Sequence, residues 1–145
     1  METAAINATG DFLAYGISAQ TDDDNSGISI KNASHITATA GGIYAVGIQA
    51  STYDDNSKIS IVNTGDVIAQ TAGLAYGIRA ISYGSNSPIT INNSGNISAE
   101  SYLSSGIIAI AGSPISITNS GNVTSKGSTA ADGVGGRAYA ARSRL

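Results

Sequence analysis

Leu74-Ala75-Tyr76-Gly77-Ile78-Arg79-Ala80, with Ile89-Thr90-Ile91-Asn92-Asn93-Ser94-Gly95-Asn96-Ile97-Ser98-Ala99 downstream, is one copy of a unit that fills most of the chain. Registered on the glycine of the Tyr-Gly-Ile motif, the copies fall at Gly16, Gly47, Gly77 and Gly106, spaced by 31, 30 and 29 residues. A second register runs Asn32, Asn63, Asn93, Asn119. A third runs Ile36, Val67, Ile97, Val123, and Ile6 extends it backwards. The copies number about four. Self-similarity at such a period marks architectures in which stacked units bury what no single unit can bury alone.

Three short segments in each copy alternate with period two, as strands do. The first is Leu13-x-Tyr15-x-Ile17-x-Ala19 and its counterparts from Tyr44, Leu74 and Leu103. The second is Ile28-x-Ile30, then Ile59-x-Ile61, Ile89-x-Ile91 and Ile115-x-Ile117. The third is Ile36-x-Ala38, then Val67-x-Ala69, Ile97-x-Ala99 and Val123-x-Ser125. β-branched residues dominate the alternating positions, and no segment carries helical spacing over ten residues. The reading is an all-β fold, a parallel β-helix (solenoid) of about 30 residues and three strands per coil. Like residues stack on like, so Ile30, Ile61, Ile91 and Ile117 are expected to form one fully buried column. The repeat domain spans residues 1–125. Residues 126–145 form a non-repeat tail, read as a cap, a frayed end or foreign sequence, in which Gly133-Val134 is a weak echo of the Gly-Ile pair.

The connections carry turn chemistry. Asn63-Thr64-Gly65, Asn93-Ser94-Gly95 and Asn119-Ser120-Gly121 join the second segment to the third, where glycine is expected to supply a positive φ. The Asn32, Asn63, Asn93, Asn119 column reads as a ladder of stacked amides at a corner. Residues 20–27, 51–58 and 81–88 link the first segment to the second, and the fourth copy shrinks to Ile110-Ala111-Gly112-Ser113-Pro114. A connection that changes length while the strands keep register is expected outside the coil.

The chain has 145 residues, a net charge of −3, only 12% charged residues, 18 glycines and no cysteine. The basic residues are scattered apart from Arg137, Arg142 and Arg144, so nucleic acid is not an expected partner. Without cysteine there is no disulfide framework and no thiolate chemistry. No apolar run approaches the roughly 18 residues of a membrane span. The N-terminus carries no signal-peptide pattern, and Met1 reads as the start of an excised fragment. A membrane is expected as a partner only through missing parts of a longer chain.

Candidate chemistry is sparse. Asp22, Asp23, Asp24 and Asp54, Asp55 raise the question of calcium, but consecutive carboxylates point different ways, and no ligand spacing for a metal is present. His35 is the only histidine, on the outward parity. It has no Gly-x-Ser-x-Gly to serve, and the paired carboxylates of a glycosidase are not visible. The chain is therefore expected to be non-enzymatic, with no catalytic residue, metal or cofactor. Tyr15 and Tyr76 share the inward parity and are expected in the core. Tyr53 and Tyr83 lie in the variable loops, and with Asp22, Asp23, Asp24, Asp54 and Asp55 they form the candidate contact surface. The outward second-segment residues hold only two Thr among Ser, Lys, Val and Asn, which argues against ice binding.

The repeated Ala-Tyr-Gly-Ile-x-Ala and Ile-x-Ile-x-Asn-x-Gly-x-Ile-x-Ala pattern, over residues 4 to 125, resembles the passenger (stalk) repeats of bacterial autotransporter surface proteins. The resemblance implies an extracellular or cell-surface location and a structural or adhesive role, with a host or matrix protein or a glycan as partner. It transfers no catalytic residue. Two other readings follow from the pattern: a carbohydrate-binding or carbohydrate-active β-helix, and a self-assembling fibre segment joined end to end through unpaired coil edges.

Overall fold

The computed structural model describes residues 4–138. Twelve strands follow in order: β1 (Ala5–Gly10), β2 (Leu13–Thr21), β3 (Ile28–Asn32), β4 (His35–Ala40), β5 (Tyr44–Thr52), β6 (Ile59–Asn63), β7 (Val67–Gln70), β8 (Leu74–Ser82), β9 (Ile89–Asn93), β10 (Ile97–Ala111), β11 (Ile115–Asn119) and β12 (Val123–Ala138). Every pairing is parallel. The chain is a parallel β-solenoid with three walls. One wall stacks β1, β4, β7 and the start of β10. A second stacks β2, β5, β8 and the rest of β10, with β12 covering β10 along its length. The third wall is β3, β6, β9 and β11.

Stacking in register is what buries the repeat. Ile28, Ile59, Ile89 and Ile115 are successive partners, as are Ile30, Ile61, Ile91 and Ile117. Ile36, Val67 and Ile97 face these columns from the first wall and share one isoleucine-rich core with them. A second cluster holds only alanines, among them Ala38, Ala40, Ala45, Ala69 and Ala75. It fills the narrow corner where the first two walls meet, where a longer side chain would not fit between backbones. The expected column loses its burial at its end: Ile117 is only half-buried, because β11 is the last strand of the third wall.

Alternation in the second wall is not uniform. Ala45 points inward, and so do Gly47, Ile48 and Ala50, so the phase shifts by one residue at the glycine. A Cβ on Gly47 would collide with Val67 Cγ1 and the Gly77 carbonyl, and one on Gly77 with Ile97 Cγ2 and the Gly106 carbonyl. The column is glycine because the facing wall's β-branched side chains occupy that space. Before the glycine the inward positions are Ala14, Ala45 and Ala75, so the column of Tyr15, Val46 and Tyr76 faces outward, and this overturns the expected core placement of Tyr15 and Tyr76. Both are half-buried on the outer face of the second wall.

The Asn-x-Gly turns are also explained differently from the expectation. No glycine among the described residues has a positive φ. A Cβ on Gly65 would overlap the Ser34 carbonyl, one on Gly95 the Gly65 carbonyl, and one on Gly121 the Gly95 carbonyl. Close approach of successive coils, rather than backbone handedness, requires glycine there.

The boundary placed at residue 125 does not coincide with a strand end. β12 continues to Ala138, with Val134 paired to Ile107 and Gly133 stacked over Gly106. The rest of the tail, including Arg142 and Arg144, lies outside the described residues.

Candidate functional surfaces

Two sets of inward polar groups hold the coils together. At the corner after the third wall, Asn32 Nδ2 donates to Asn63 Oδ1, Asn63 Nδ2 to Asn93 Oδ1 and Asn93 Nδ2 to Asn119 Oδ1, each at 2.7 Å. Each amide also donates to a carbonyl two residues on, at Ser34, Gly65, Gly95 and Gly121. The asparagine ladder is therefore a structural element, buried from Asn32 to Asn93.

The variable loops are tied down in the same way. Ser26 N donates to Ser57 Oγ at 3.1 Å, Ser57 N to Ser87 Oγ at 3.0 Å and Ser87 N to Ser113 Oγ at 2.9 Å. Ser57 and Ser87 are fully buried. Their hydroxyls donate to the main-chain carbonyls of Asp23 and Asp54. Asn25, Asn56 and Asn86 take left-handed backbone, with φ of 60°, 56° and 53°, a conformation asparagine tolerates better than most residues. The loops are thus an ordered edge rather than excursions from the coil. Their Asp/Ser-Asn-Ser recurrence at 24–26, 55–57 and 85–87 was the available sequence signal.

The expected contact residues fall into two groups on this edge. Asp24 Oδ1 accepts from Asp55 N at 3.0 Å and Asp55 Oδ1 from Ser85 N at 2.6 Å, so these carboxylates serve the stacking. Asp22 accepts from Gln20 Nε2 at 3.1 Å, and Asp22 and Asp23 are exposed, with Asp54 half-buried. Among the described residues no three His, Asp or Glu side chains lie close enough together to hold a metal ion. Tyr53 and Tyr83 stack face to face, with ring centroids 5.0 Å apart and planes 16° apart. They are 45% and 62% exposed, so a pair of rings is presented outward on a hydrogen-bonded edge.

A second aromatic surface includes Tyr15 and Tyr76, the two tyrosines that alternation alone assigns to the core. Tyr44 lies between Tyr15 and Tyr76 on the outer face of the second wall, with centroid distances of 5.8 and 5.5 Å. Arg79 lies over Tyr44 and Tyr76, 5.9 and 5.7 Å from their ring centroids, and its Nη1 donates to Gln49 Oε1 at 3.4 Å. Val46, paired to both Tyr15 and Tyr76, is fully buried beneath these rings although it belongs to neither core cluster. Burial pushes the Tyr44 phenol well above its ordinary range, only partly opposed by the Arg79 cation. Phe12, Leu13 and Ile43 continue the face as exposed apolar side chains. His35 is half-buried on the outer face of the first wall, its Nε2 within 3.2 Å of Thr37 Oγ1.

Comparison with protein-family models, curated proteins and solved structures finds no match to this chain.

Proposed function

We propose that the chain is a non-enzymatic structural and adhesive module, a segment of a β-helical stalk of the autotransporter passenger kind, displayed at a bacterial surface or secreted. The observation that carries this reading is the stacked, outward-facing Tyr53–Tyr83 pair on an edge pinned by inter-coil hydrogen bonds. Exposed aromatics on a rigid support supply contact area at little cost in conformational entropy. The Ser/Thr/Asn exterior and weak net charge suit a spacer that does not attract charged partners indiscriminately.

The test is binding of the full chain to immobilised extracellular-matrix proteins and to a glycan panel, repeated with a Tyr53→Ala/Tyr83→Ala variant. Neither ring lies in the core clusters, so the variant should melt like the parent. Capture of the parent by at least one of these surfaces, with loss in the variant, supports the reading. Equal capture by both on every surface, or none by the parent, overturns the assignment of the adhesive contact to Tyr53 and Tyr83.

A further inference from the structure

The corner between the first and second walls varies in length from coil to coil. In the third coil residues 71–73 connect Gln70, paired to Glu100, with Leu74, paired to Leu103. The fourth coil makes the same crossing with residues 101–102 alone. The fifth uses residues 127–129 between Lys126, paired to Glu100, and Ala130, paired to Leu103. A two-residue corner therefore lies between two three-residue corners, and the register of β10 against β12 shifts at that point. Residues of all three corners line an open groove of about 710 Å³. Bulges of this type re-aim side chains and are common beside binding sites.

The groove has a defined chemistry. Tyr102, on the two-residue corner, is 55% exposed. Glu100 and Lys126 are partners on adjacent strands, and Ser128 adds a hydroxyl, while the Thr71 hydroxyl donates to the Gly42 carbonyl and the Ser125 hydroxyl pairs with Ser104. The corner is held by bonds that do not use the Tyr102, Glu100 or Lys126 side chains. Tyr102 N donates to Ala72 O at 3.2 Å. Ser101 Oγ accepts from Ala75 N at 3.1 Å and donates to Leu103 O at 2.5 Å. Those three side chains are therefore available to a ligand without loss of support.

We propose that this groove is a subsite for an uncharged pyranose, a hexose or N-acetylhexosamine unit of a glycan. The aromatic face of Tyr102 suits the C–H face of a sugar ring. The Glu100 carboxylate accepts from sugar hydroxyls and the Lys126 ammonium donates to them, with orientation set by a few polar groups around an apolar contact. One carboxylate beside one ammonium leaves the groove without net charge, so a polyanion meets Glu100 and a polycation meets Lys126. An uncharged sugar meets neither penalty. The site lies at the opposite end of the second wall from Tyr53 and Tyr83, so its fate is independent of the adhesive reading.

The experiment is titration of the full chain, followed by amide chemical shifts, with an N-acetylglucosamine trimer, a mannose trimer and lactose, and with a heparin fragment as the polyanion. At least one neutral sugar should bind saturably and shift the amides of residues 100–102 and 126–128. Tyr102→Ala should weaken that binding by about tenfold or more, Tyr102→Phe should retain it, and Glu100→Gln should weaken it. Tyr53→Ala/Tyr83→Ala should leave it unchanged. Absence of saturable binding by any neutral sugar overturns the proposal, as does parental affinity in Tyr102→Ala, or binding of heparin alone. If Tyr102→Ala fails to fold, Glu100→Gln and the shift map decide: shifts confined to other residues, or parental affinity in Glu100→Gln, overturn the proposal.

Discussion

Asn63 Nδ2 donates to Asn93 Oδ1 in the next coil and to the Gly65 carbonyl in its own turn, both at 2.7 Å. Its Oδ1 accepts from Asn32, so this fully buried amide satisfies three partners at once. Asn63→Ala strands the Asn32 donor and the Asn93 acceptor, and each buried unpaired polar group costs about 1–3 kcal/mol. Denaturant unfolding should show a loss of about 3 kcal/mol or more. Asn119→Ala, at the exposed end of the ladder, should cost less than about 1 kcal/mol. Equal losses would show that the ladder does not stabilise the stack.

Gly77→Ala places a methyl group against Ile97 Cγ2 and within 2.5 Å of the Gly106 carbonyl. Overpacking of this kind costs about 1–3 kcal/mol and more where backbone must move. Adding Ile97→Ala removes the side-chain clash but leaves the carbonyl, and opens a cavity of its own. The double variant should therefore recover only part of the loss relative to Ile97→Ala alone. A non-interacting double-mutant cycle would refute the facing-wall explanation for glycine at this position.

Ile61→Asp should cost more than about 4 kcal/mol, since an unpaired carboxylate would sit in a column with no polar partner. The same change at Ile117 should cost clearly less, because that position is half open at the end of the third wall. Melting temperatures of the two variants check the order.

The Tyr44 phenol is raised by burial, so the folded chain holds a proton that the unfolded chain releases near its ordinary value of about 10. The contribution is fully present below that pH and is lost as pH rises above it. Melting temperature should fall as pH rises above about 10, and the fall should be shallower in Tyr44→Phe. Parallel pH curves for parent and variant would mean that the Tyr44 ring is solvated.

The three-wall solenoid was legible because Ile30, Ile61 and Ile91 repeat at one position, and only in-register parallel stacking makes neighbours of them. The asparagine ladder followed from the same logic. The tyrosine face did not, since alternation counted from Ile17 and Ile48 carries Tyr15 inward across a phase shift that period-two counting does not detect. The Tyr102 groove left one trace: the Gly77 to Gly106 interval is 29 residues where the preceding interval is 30.

What the residues determine alone is the period, the strand parity within each segment and the identity of the stacked columns. These depend on neighbours one coil apart, which the repeat itself specifies. The tertiary structure decided where a lost residue falls, which wall a glycine faces and which side of a strand a tyrosine occupies. Each depends on contact between different walls, such as Gly77 against Ile97, or on unequal corners brought side by side, such as 71–73, 101–102 and 127–129. Such relationships join positions without a common register, so they exist only once the coils are closed.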